Sequence, residues 1–133
     1  MLEVRALFVG NDYQTEVWIS DAAASAIEQQ AGTRESPTGA LLVKLRHYAR
    51  AGFRYFEGKG KPIRYEGDGV FRIGLRSDLF RLIGFYGGFR KSEFIIVDTY
   101  RKRGQKRSAT HTTRVMKAAK IRRDELWRKA NDD

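Results

Sequence analysis

The chain has 133 residues, 41% of them apolar, which suits one domain with a buried core and argues against global disorder. Its 26 Lys and Arg against 16 Asp and Glu give a net charge of +10, which points to a polyanionic partner, most often nucleic acid. The lack of cysteine excludes disulfide frameworks and thiolate metal sites, and no uncharged run approaches the roughly 20 residues that span a bilayer.

Met1-Leu2-Glu3 lacks the basic-then-apolar pattern of a leader, so the expectation is a cytoplasmic protein. Leu2 to Val9 reads as a strand and Gly10-Asn11-Asp12 as a turn, with Glu16 to Ile19 able to pair back. Ser20 or Asp21 can cap a helix from Ala22 to about Ala31, which Gly32 would stop. Ser36-Pro37 then gives an N-cap followed by proline at the first helical position. The next helix carries Leu41, Leu42, Leu45, Tyr48 and Ala49 as one apolar stripe, with Lys44, His47 and Arg50 off it and Gly52 at its end. Phe53 to Phe56 and Gly58 to Pro62 form a basic connector, Ile63 to Glu66 an extended segment, and Gly67-Asp68-Gly69 a turn.

Phe71 to Arg76 and Leu79 to Tyr86 alternate apolar and basic residues around Ser77-Asp78, the pattern of a two-residue hairpin. With that turn, Ile73 faces Leu82, Arg72 faces Ile83, and Arg81 lies over Gly74 between Arg72 and Arg76. Guanidinium groups so gathered repel one another unless an anion sits among them. Phe94 to Val97 reads as a central strand, apolar on both faces, and a helix runs from about Thr112 to Lys129. The order is α+β, with helices first, an antiparallel meander over 70–76, 79–86 and 93–100, and a closing helix.

No P-loop, HExxH, EF-hand or GxSxG pattern occurs, the carboxylates are scattered, and the two histidines lie 64 residues apart. What remains is the basic constellation: Arg72, Arg76 and Arg81, then Arg101, Lys102, Arg103, Lys106 and Arg107 beyond the next strand. Arginine gives bidentate, permanently charged contacts, so the constellation reads as a phosphate cradle. Tyr100 adjoins the basic run and can stack on a base. His111, among threonines at the head of the last helix, is a group able to move protons near neutral pH.

The hairpin Phe71 to Leu82 resembles the strand–turn–strand of RelE/HigB-type toxins, and Phe94 to Lys106 resembles the closing pattern of their phage-associated HigB-like branch. The likeness covers about residues 40 to 125. It implies a RelE-like α+β fold over residues 1–133: N-terminal helices on a curved antiparallel sheet, itself a three-strand meander plus an N-terminal strand, and a C-terminal helix. It also implies the toxin of a toxin–antitoxin pair, an mRNA endonuclease that acts on the ribosome. There the RNA 2′-hydroxyl attacks the adjacent phosphate, without metal or other cofactor. The partners implied are ribosome and mRNA and an antitoxin with a helix-turn-helix DNA-binding domain, with no membrane. Arg81 matches the family's second-strand arginine, Arg72 its first-strand basic position, and Arg101 to Arg103 its post-strand basic pair. The chain departs from the pattern at Gly74, where some members carry a catalytic lysine, and at Ser108 to Thr113, a short insertion in which His111 is the local proton-transfer candidate. The alternative is a non-catalytic relative that binds nucleic acid or inhibits a protein target such as a topoisomerase.

Overall fold

A computed structural model of the protein describes residues 2–31, 38–74, 80–87, 92–101 and 109–132. Strand β1 (Val4–Phe8) turns through Gly10, whose carbonyl accepts from the Tyr13 amide at 3.2 Å, and returns as β2 (Glu16–Ser20) with Val4 opposite Ser20. Ser20 ends β2 and caps the helix that follows, α1 (Asp21–Ala31). Its Oγ accepts from the Ala23 amide at 3.1 Å, satisfying one of the first-turn donors a helix cannot pair itself. In α2 (Thr38–Ala51) the stripe Leu41, Leu45, Tyr48 and Ala49 is buried, and Lys44, His47 and Arg50 are exposed. Gly52 stops the helix at φ 111°, a conformation that side chains with a Cβ avoid.

A 3₁₀ turn (Phe53–Phe56) leads to β3 (Ile63–Gly67), which hairpins into β4 (Val70–Ile73). Asp68 and Gly69 both take positive φ, as the turn type that matches strand twist requires. Strands β5 (Phe80–Gly87) and β6 (Glu93–Arg101) follow, and α3 (Ala109–Asp132) closes the chain. The sheet has six strands in the order β1-β2-β6-β5-β4-β3.

The meander β4-β5-β6 forms with the register read from the sequence: Arg72 opposite Ile83 and Ile73 opposite Leu82. The expectation of N-terminal helices on an antiparallel sheet of one strand plus a meander is overturned. A hairpin, β1-β2, precedes the helices, and β3 adds a further strand at the far edge, which gives six strands in all. The sheet is mixed, because β2 pairs with β6 in parallel, Val17 beside Phe94. The physical reason lies in β6. Apolar on both faces, it needs a neighbour along each edge. After α1 and α2 the chain re-enters as β3, running opposite to β2, and the antiparallel reversals β3-β4-β5-β6 bring β6 back in the same direction as β2.

Helices cover both faces. Val17, Ile19, Ile73, Leu82, Phe94 and Ile96 pack against α1 and α2, whereas Val70, Ile83, Phe85, Ile95 and Val97 pack against Val115, Ala118 and Ala119 of α3. No helix among the described residues is long and apolar enough to cross a membrane.

Candidate nucleic-acid site on the α3 face of the sheet

Strand alternation puts Arg72 on the face of Val70, and Arg81 on the face of Ile83 and Phe85. That is the face that α3 covers. Arg81 is in register with Tyr100 of β6, and both are 8% exposed. Its guanidinium lies across Gly74, where an added methyl group would overlap Cδ, Nε and Nη1. Arg81 Nη1 donates to the Phe80 carbonyl at 3.1 Å.

Arg72 has a carboxylate beside it. Its Nε lies 3.5 Å from Glu66 Oε1, with both side chains mostly buried (16% and 12% exposed) and no hydrogen bond at that nitrogen. Glu66 sits where the β3–β4 register shifts between Tyr65 and Gly67, one strand over and diagonal to Arg72. The anion that neighbouring guanidinium groups require is thus supplied in part by the chain itself.

The Tyr100 hydroxyl hydrogen-bonds with Arg72. Burial raises the pKa of this phenol, and the nearby charges of Arg72 and Arg81 pull it partly back. Tyr100 is therefore a neutral hydrogen-bonding group at physiological pH, not a base. Beyond it, the β5–β6 register shifts between Ile83 and Gly84, and Asp98 faces Ile83. Its Oδ1 accepts from Arg114 Nη1 of α3 at 2.7 Å and from the Thr99 amide at 2.8 Å.

Arg72, Arg81 and Tyr100, one from each of three adjacent strands, therefore share a surface with Glu66. No family model, curated protein or solved structure matches the chain. Other expected site residues stand apart or lie outside what the structure describes. Arg101 is exposed and in register with Phe80, so alternation starts it toward the α1/α2 face, away from Arg81. Arg76, Lys102, Arg103, Lys106 and Arg107 lie outside the described residues. His111 falls in the first turn of α3, but its side chain is outside the described set.

Sequence reasoning missed Glu66, Asp98 and Arg114. A carboxylate at the start of a Gly-Asp-Gly turn was the one signal for Glu66. Asp98 breaking the apolar run of β6 was the signal for the clamp to α3.

Proposed function

We propose that the chain is an endoribonuclease that cleaves mRNA on the ribosome, acting as the growth-inhibiting toxin of a toxin–antitoxin pair. The observation that carries this reading is Arg81, seated over Gly74 in the sheet, opposite Tyr100 and on the face of Arg72. The hairpin's resemblance to RelE/HigB-type toxins supports the same reading from the sequence.

In this reading an RNA phosphate displaces Glu66 from Arg72 and lies between Arg72 and Arg81. The 2′-oxygen attacks the adjacent phosphorus, the bond to the 5′-oxygen breaks, and a 2′,3′-cyclic phosphate and a 5′-hydroxyl result. Arginine keeps its proton at any physiological pH, so both guanidinium groups stabilise the charge of the phosphorane and neither abstracts a proton. The Tyr100 hydroxyl, held neutral, hydrogen-bonds within the same cradle. Glu66, released from Arg72, takes the proton of the 2′-hydroxyl, and His111 in the first turn of α3 returns one to the leaving oxygen. The partners of this activity are the ribosome with its message and an acidic antitoxin that covers the basic surface.

The protein added to a reconstituted translation reaction, followed by mapping of transcript 5′ ends, tests this. Cuts in the ribosomal A site are expected, and Arg81→Ala should reduce them at least about a hundredfold. Arg81→Lys, which keeps the charge and the stem but loses the planar fork, should also be defective while melting like the parent. A second reading is favoured by one observation, the Arg72–Glu66 pair already formed in the free chain. It describes a non-catalytic protein that binds nucleic acid or inhibits a protein target such as a topoisomerase. Intact messages alongside growth arrest would select it.

A further inference from the structure

At the opposite end of β5, and on its opposite face, the structure holds a cavity of about 420 Å³ lined by Gln14, Gly52, Arg54, Tyr55, Glu57 and Tyr86 among others. Its size falls within the range of small-molecule sites. Tyr86 lies five positions along the strand from Arg81, so roughly 17 Å separates this cavity from the arginine cradle.

The walls are unlike one another. Tyr55 is 64% exposed and carries the Arg54 guanidinium 5.5 Å from its ring centroid. Opposite in character is Tyr86, wedged with its ring centroid 5.2 Å from those of both Phe71 and Phe94. The Tyr86 hydroxyl donates to Glu57 Oε1. Burial, first, and the Glu57 carboxylate hold that hydroxyl protonated, so it remains a donor. A carboxylate has about four acceptor positions, and one hydrogen bond leaves the others open to a ligand. Directly after Glu57 comes a tight turn, closed by the Lys61 amide on the Gly58 carbonyl at 3.1 Å, from which Lys59 and Lys61 are exposed.

We propose that this cavity binds a nucleotide through its base, with guanine preferred, whether the nucleotide is free or part of an RNA strand. An exposed tyrosine ring offers the flat apolar surface on which any base stacks. Guanine alone among the four RNA bases presents two adjacent donors, N1–H and the 2-amino group, to a carboxylate such as Glu57. The phosphate then lies at the rim, toward Arg54, Lys59 and Lys61. The site does not depend on the role given to Arg72 and Arg81.

The test is a titration of the protein with GMP, AMP, CMP and UMP, read by amide chemical shifts, with parallel titrations of RNA pentamers that contain or lack guanine. Shifts confined to Gln14, Thr15, residues 51–61, Tyr86 and Ser92, and GMP bound about tenfold more tightly than AMP, are expected. Tyr55→Ala, at an exposed position, should weaken GMP about tenfold without changing the melting temperature. Glu57→Gln should erase the preference for GMP over AMP. Shifts with the guanine pentamer alone would assign the site to an RNA strand, and shifts with GMP to the free nucleotide. Shifts with none of these ligands at millimolar concentration, shifts elsewhere in the molecule, or equal affinity for all four mononucleotides would overturn the proposal.

Discussion

A methyl group on Gly74 would occupy the space of the Arg81 guanidinium, so these positions act as one unit. Gly74→Ala should therefore expel Arg81 from its seat and lower mRNA cleavage nearly as much as Arg81→Ala, at least about a hundredfold by the scale of a lost transition-state donor. Folding should survive, since Gly74 lies beyond the last residue of β4 and its φ is not in the left-handed region. Normal cleavage by Gly74→Ala, measured on a translated message, would show that Arg81 has another working position. The seating of Arg81 was legible in the sequence, because a two-residue turn and a period of two fix which residues face each other across a hairpin. Glu66 was not, because its place depends on a register shift between Tyr65 and Gly67 that no alternation pattern announces. Its part has a test of its own. Glu66→Gln removes both the competing anion at Arg72 and the proposed proton acceptor, so RNA binding should tighten while cleavage falls about a hundredfold. A variant that binds no better and cleaves as before would take Glu66 out of the site.

Helix α3 is the element on which the arginine face depends. It is held by small residues, Ala118 and Ala119 at 1% and 2% exposure, that let its backbone approach Ile83, Phe85 and Val97. The Asp98–Arg114 ion pair adds a polar tie, but with Arg114 at 40% exposure it is worth at most about 1 kcal/mol. Apolar contact therefore decides whether α3 stays. Ala119→Asp, which buries a charge with no room for a partner, should cost about 3 kcal/mol or more in a denaturant titration. Asp98→Asn should cost far less. If the two variants lose equal stability, the ion pair and not the apolar seam holds the helix. The helices themselves were readable: Ser20 as cap, the Leu41 to Ala49 stripe and Gly52 as stop all lie in local sequence. Strand partners were not. The parallel pairing of Val17 with Phe94 joins segments far apart in the chain, and no local pattern distinguishes it from an antiparallel choice.

Across the whole molecule, the net charge of +10 and the burial of tyrosines make opposite demands on solvent conditions. For the proposed RNA complex, the charge should favour binding at low salt. Neutralising several phosphates of a single strand should give a fall in log affinity with log salt of about 0.7 per phosphate released. The tyrosines set the alkaline limit of the fold. Burial raises the pKa of Tyr48 on α2, Tyr86 on β5 and Tyr100 on β6, so both helix–sheet interfaces contain a phenol that resists ionising in place. Below about pH 10 these groups are protonated in the folded and unfolded chains alike, and their contribution to stability is fully present. Above that pH the unfolded chain releases protons that the folded chain retains, so it gains free energy and stability declines as pH climbs toward the raised native values. Urea midpoints at pH 8, 10 and 11 should therefore fall less over the first interval than over the second. Tyr86→Phe removes the phenol whose ionisation is most strongly opposed, by burial first and by Glu57 second. It should start less stable at pH 8, having lost the hydrogen bond to Glu57, and decline less than the parent between pH 10 and 11. Parallel declines in the two proteins would mean that alkaline unfolding is driven by loss of lysine charge and not by the buried phenols.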